Sequence, residues 1–213
     1  MIRHSDSYGN RGKCSGAEPI LQKIGLRRRL VMQIFLWGIV LLMGIGGAGV
    51  LFLRSYDGEA AVYVVEHRVR FPGTREAAWE ILTRADLFHD WNPYVKKMEG
   101  ILQPGEMLRV TIVQENWKLP VVVRPKIVTA TAPSVLHWHG SILVSGFLET
   151  DHSFHFAEVG EGEVEFVQRE EFRGWLAHRM KDNGSQRYTF EAFERMDLAL
   201  VERVREQTSQ ARP

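Results

Sequence analysis

Three ionisable residues stand where the sequence pattern points side chains inward. In the run Glu163–Arg173, Val164, Phe166, Gln168, Glu170 and Phe172 alternate with Glu165, Val167, Arg169, Glu171 and Arg173. A period of two places the first set on one strand face, so Gln168 and Glu170 sit among aromatic residues. In the preceding run, His152 shares a face with Phe154 and Phe156. If the two runs form a hairpin turning at Gly160–Gly162, His152 faces either Gln168 or Glu170, depending on register. Asp197 lies inside the apolar stripe of the last helical segment, between Phe193 and Leu200. An unpaired carboxylate there is costly to bury, and its pKa rises. It is either tied structurally to an Arg or a backbone N–H, or it meets a ligand or serves as a general acid/base.

Other chemistries find less support. His137 and His139 lie two apart and share a strand face, a spacing compatible with metal ligation. That face alternates with Leu136 and Trp138 and so points to solvent, as does His155; no metal site or cofactor is expected. The sequence has no Gly-rich phosphate loop, no Gly-x-Ser-x-Gly and no His-Glu-x-x-His. Net charge is +1, and no basic, aromatic-interleaved stripe marks a nucleic-acid surface. The single cysteine, Cys14, excludes an intramolecular disulfide.

The elements that must position these residues follow from periodicity. Ala61–Phe71 reads as a strand, and Thr74–Thr83 as a short helix with Thr74 as N-cap. Ala85–His89 adds a turn, ended by Trp91-Asn92-Pro93. Strand-like runs follow at about 95–102, 106–116, 120–130, 135–147, 150–158 and 163–173, separated by short turns. Such spacing suggests an antiparallel meander. The terminal segment, Ser185–Glu206, is helical, with Phe190, Phe193, Met196, Leu200, Val201 and Val204 on one stripe. The aromatic residues Trp91, Trp138, Phe154, Phe166, Phe172, Phe190 and Phe193 are candidates either for core packing or for lining a ligand pocket.

Before this region lies a different kind of segment. Leu30–Leu53 is apolar except for Gln33 and, as a helix, spans about 36 Å, enough to cross a bilayer. Seven Lys and Arg precede it, against Arg54, Arg68 and Arg70 in the twenty residues after it. The positive-inside rule then places the N-terminus in the cytoplasm and the following domain outside. A cleaved signal peptide is the alternative, with Gly46-Gly47-Ala48 as the cleavage site. Gly44 and Ala48 form a small-xxx-small pair through which two such helices could dimerise weakly. The expected organisation is a basic tail over 1–29, a membrane helix over 30–53, a linker over 54–59, a domain over 60–206 and a tail over 207–213.

Several motifs fall in a recognisable order. They are Phe71-Pro72 with Ala78-Trp79, Trp91-Asn92-Pro93, Arg124-Pro125, Leu136-x-Trp138-x-Gly140 and His152-Ser153-Phe154-x-Phe156. The terminal Phe193-x-x-Met196-Asp197-x-Ala199-Leu200 resembles a Phe-x-x-Met-Asn-x-Ala-Leu pattern, with Asp in place of the more usual Asn. Residues 60–205 thus resemble the SRPBCC superfamily of START, Bet v 1-like and polyketide cyclase/dehydrase proteins. The usual family sequence has no N-terminal membrane helix. The resemblance implies an α+β helix-grip fold, a curved antiparallel sheet of about seven strands around a long C-terminal helix, with a hydrophobic cavity between them. It does not by itself imply a reaction.

Three functions are compatible with that expectation. One is binding of a lipid or other hydrophobic small molecule, with His152, Gln168, Glu170 and Asp197 as its polar contacts among the aromatic residues. Another is a cyclase or dehydratase acting on a polyketide-like substrate, which requires His152, Glu170 and Asp197 to converge on one cavity. The last is an interaction module without ligand, which requires a filled core and an exposed apolar patch.

Overall fold

A computed structural model describes residues 18–58, 60–113 and 119–210 of the chain. Cys14 and the tail before Glu18 lie outside the described residues, as do residues 211–213. The chain divides into two units, Met1–Gly49 and Val50–Pro213. The first contains most of α1 (Glu18–Arg54). Within it, Gln33–Arg54 is long and apolar enough to cross a membrane, and none of it is buried. Phe35, Trp37, Leu41 and Leu42 are all exposed along its length. Helix begins well before Leu30, so the expected boundary at residue 29 is not a structural one.

The second unit has the helix-grip arrangement. Strand β1 (Tyr63–Pro72) leads into α2 (Arg75–Thr83), a 3-10 turn (Ala85–Leu87) and α3 (Phe88–Trp91). Thr74 caps α2 as expected, its hydroxyl accepting the Ala77 N–H at 3.2 Å. Seven strands follow: β2 (Val95–Glu99), β3 (Arg109–Ile112), β4 (Val121–Val123), β5 (Lys126–Thr131), β6 (Val135–Ile142), β7 (Leu148–Gly160) and β8 (Glu163–Arg173). Then come α4 (Trp175–Asp182) and the long α5 (Ser185–Gln210).

The strands form two antiparallel sheets, ordered β1-β8-β7-β6-β5 and β2-β3-β4. This differs from a single meander of about seven strands, and the cause is local. The expected strand over 120–130 is broken at Arg124-Pro125, where proline supplies no ladder N–H. Its two halves serve different sheets. The Pro125 carbonyl still accepts the Leu108 N–H at 2.8 Å, which stitches the sheets together at the break. Helix α4 is a second departure: periodicity in so short a polar segment did not announce it.

The core forms where the stripe of α5 meets the concave face of the larger sheet. Phe193, Met196 and Leu200 are essentially inaccessible, as are Phe154, Phe166 and Leu136 on the sheet. Phe154 and Phe166 lie parallel at 6.2 Å, and Phe156 stacks on Phe166 at 4.6 Å. Complete burial of side chains this large contributes about 1.5–3 kcal/mol each.

Passage from β8 into α4 depends on Gly174, at φ +94°. A Cβ there would lie 2.9 Å from the carbonyl oxygens of Gly146 and Phe147. Gly184, between α4 and α5, also has positive φ (+75°), but a Cβ there meets nothing within 4 Å. Gly174→Ala should therefore destabilise the protein by about 1–3 kcal/mol, clearly more than Gly184→Ala. Denaturant midpoints of the two variants check this; equal losses would show that the crowding at Gly174 is relieved without cost.

Candidate functional site

The core does not fill the grip evenly. At the Phe156–Phe166 end, large side chains of sheet and α5 interdigitate. Toward the other end α5 offers this space only the small Ser185 and Thr189, and the sheet sets Gly140 and Thr150 among its larger residues. A cavity of about 350 Å³ remains there. The small sheet closes one side with Val95, Val110, Ile112, Val121 and Val123, and α4 another with Leu176 and Met180. Trp138, Ile142, Leu148 and Phe172 complete an apolar wall on the large sheet. The volume lies toward the small end of ligand pockets, and the largely apolar lining is typical of them.

Two ionisable groups face this space from the sheet. Strand register places His152 directly opposite Glu170, and both line the cavity. His152 Nδ1 stands 3.8 Å from Glu170 Oε2, too far for a direct hydrogen bond. On its other side, His152 Nε2 receives the Gln168 amide N–H at 3.0 Å. Burial drives the His152 pKa down to about 3, so the ring is neutral. Because Nε2 accepts, the single ring proton belongs on Nδ1. Burial also raises the Glu170 pKa to about 8, against a smaller opposing effect of its hydrogen bond with Thr150. At neutral pH the carboxyl therefore keeps its proton.

Asp197 has a different partner. It is inaccessible on α5, and its Oδ2 pairs with His67 Nδ1 at 2.6 Å. Burial pushes its pKa up to about 6, with the His67 hydrogen bond acting the other way. The same hydrogen bond raises the pKa of His67, opposed by partial burial. Asp197 Oδ1 has no hydrogen-bond partner among the described residues, and Asp197 is not on the cavity wall. The convergence of His152, Glu170 and Asp197 required for a three-residue acid/base set is thus not found. The partner residue, His67, shares its β1 face with Tyr63, Val65, Val69 and Phe71, so the period-two pattern that exposed Glu170 could have found it.

The remaining candidates separate into three places. Trp138 and Phe172 line the cavity with His152 and Glu170. Phe154, Phe166, Gln168 and Phe193 belong to the packed core behind it; Phe193 stacks on the His152 ring at 5.0 Å. Gln168 also approaches Met196 Sδ at 3.8 Å, while its Oε1 has no partner. Trp91 and Phe190 lie elsewhere. Trp91 packs edge-on against Phe88 and borders a separate groove with Arg84 and Arg203. Phe190 is 41% exposed and covers the His67 ring from the edge of the α5 stripe. Sequence reasoning missed Tyr94, Thr150 and Thr189; Tyr94 and Thr189 sit in a turn and at the weakly patterned start of a helix. On the outer sheet face, His137 Nε2 and His139 Nδ1 both reach Asp151 Oδ1, at 3.1 and 3.3 Å. Arg173 takes the other oxygen of that carboxylate, giving a surface hydrogen-bond cluster.

The raised pKa of Glu170 has a consequence for stability. The unfolded chain ionises this carboxyl near 4.5, the native protein near 8, so between those values the native state holds the extra proton. Stability is therefore lost as pH rises through that window. Glu170→Gln, which cannot ionise, should melt at a higher temperature than the wild type at pH 9 and show little advantage at pH 4.5. Thermal unfolding across this range checks it; parallel curves would show that Glu170 ionises normally.

Residues 63–199 match the family model described as polyketide cyclase/dehydrase and lipid transport. No curated protein matches the chain by sequence. Among solved structures, a norcoclaurine synthase mutant from Thalictrum flavum is 16% identical, with a TM-score of 0.54 over 70% of this chain and 99% of that one. A START superfamily protein from Mycobacterium smegmatis is 14% identical, with a TM-score of 0.54 over 68% and 98%. A hypothetical protein from Helicobacter pylori is 13% identical, with a TM-score of 0.56 over 71% and 93%. At such identities these structures share the fold, while the model match covers well over half of the chain. The chain belongs to the polyketide cyclase/dehydrase and lipid transport family.

Proposed function

We propose that this protein binds a lipid or other hydrophobic small molecule in the cavity between sheet and α5, and that α1 anchors the cavity beside a bilayer. The observation that carries the reading is the apolar cavity of about 350 Å³, left open where α5 is small and polar. An interaction module with a filled core would not leave such a space. The cyclase reading is weakened because Asp197 is engaged by His67, and His152, with a pKa near 3, is a poor base at neutral pH.

Anchoring is supported by the exposure of an apolar helix that water would not tolerate bare. The position of the cavity agrees with it. Val50–Arg54, the last turn of α1, belongs to the same unit as the grip. It approaches the β6–β7 loop so closely that a Cβ on Gly146 would fall 1.9 Å from the Leu53 carbonyl oxygen. That loop joins Ile142 to Leu148, two cavity-lining residues. The cavity thus lies at the end of the sheet nearest Val50–Arg54. Leu143 and Val144, at the same end, are exposed. The excess of Lys and Arg before the span supports a cytoplasmic N-terminus and, with it, a domain outside the cytoplasm.

Full-length protein released from detergent micelles should carry a discrete bound mass in native mass spectrometry. Thr189→Trp, which fills the cavity from α5, should lower its occupancy at least tenfold with the fold retained by circular dichroism. A chain that stays empty after exposure to a total lipid extract would refute the binding reading.

A further inference from the structure

The chemistry of the cavity wall restricts what can enter. Among the described residues, none of those lining it is Lys or Arg. A carboxylate, sulfonate or phosphate head would lose its hydration there with no cation to replace it, a cost of many kcal/mol in a low-dielectric site. Besides hydroxyl groups of Tyr94, Ser141, Ser185 and Thr189, the polar part of the wall is a compact group of His152, Glu170 and Thr150, on adjacent strands β7 and β8. Its geometry is specific. Gln168 holds His152 Nε2 as an acceptor, so Nδ1–H faces Glu170 Oε2 across 3.8 Å, a gap that no direct hydrogen bond closes.

Two donors bordering one gap suit an acceptor with two lone pairs. We propose, building on the cavity-binding reading, that the protein selects an uncharged amphiphile with a carbonyl oxygen. His152 Nδ1–H and the Glu170 carboxylic acid hold that oxygen, and anionic head groups are excluded. The aliphatic part of the ligand lies against Leu148, Ile142, Val123, Leu176 and Met180. Burial that keeps Glu170 protonated near neutral pH supports the donor role. The titratable groups near Glu170 are His152 from β7, Tyr63 from β1 and Tyr94 before β2, with Asp151 of β7 acting on it from the outer face of the sheet. From α5, the cavity-lining residues near it are Ser185 and Thr189, neither of which titrates. Raised pH therefore acts on the ligand through Glu170, which changes there from donor to charged acceptor.

The test compares three probes of one chain length, an alkane, a methyl ketone and an alkyl sulfonate. Each is titrated against the full chain in nonionic micelles, with protein-free micelles as reference. At pH 7 the ketone should bind at least tenfold more tightly than the alkane, and the sulfonate more weakly than both. At pH 9.5 the advantage of the ketone over the alkane should shrink severalfold. In Glu170→Gln, whose amide still donates, the ketone-to-alkane ratio should no longer vary with pH. Equal affinity for ketone and alkane, or a sulfonate that binds as well as either, would overturn the selectivity while leaving the cavity reading in place. Binding of none of the three would remove the cavity reading and this one with it.

Discussion

The contact on which the rest depends is the apolar stripe of α5 laid across the concave face of the five-stranded sheet. Toward the helix N-terminus the large Leu200, Met196 and Phe193 give way to the small Thr189 and Ser185. The sheet beneath carries Phe156, Phe166 and Phe154 at the packed end, and Trp138, Leu148 and Phe172 with the small Gly140 and Thr150 at the other. Where both partners are large, they close into a core of crystal-like density. Where the helix side chains are small, they do not fill the space over the sheet. The cavity is thus a consequence of side-chain volume, and the small sheet and α4 serve as its remaining walls.

Polar groups inside this core are handled in two ways. Asp197 and His67 form a short, direct pair across the helix–sheet contact, which limits the cost of burying a carboxylate. His152 and Glu170, by contrast, become neutral, one by losing a proton and the other by keeping it. The first solution locks α5 onto β1. The second leaves hydrogen-bonding capacity free at the cavity wall without placing a charge there. Gln168, opposite His67 in the β1–β8 register and bonded to His152, stands between the two.

Much of this was legible beforehand, and what was not has a physical cause. Alternation in β8 assigned Gln168 and Glu170 to the inner face, because one face of that strand is wholly apolar otherwise. It could not fix register, so whether His152 met Gln168 or Glu170 stayed open; the fold gives it both, one bonded diagonally and one directly opposite. The α5 stripe was read correctly at its centre and misjudged at its edge, where Phe190 covers His67 instead of turning inward. Trp91 was grouped with the lining by residue type alone, and type says nothing about which side of α3 it occupies. The division into two sheets was signalled by Pro125, whose effect on a ladder is local and easily hidden in a run of valines.

The linker after α1 has a further consequence. Only residues 55–62 separate Arg54 from Tyr63, a tether that reaches at most about 29 Å when fully extended. If α1 is embedded, the domain diffuses in the plane of one leaflet and cannot cross a wide aqueous gap to a second membrane. A ligand taken into the proposed site would then be released locally or handed to a partner that comes to it. On the proposed reading, such a molecule would behave as a fixed collector and not as a ferry.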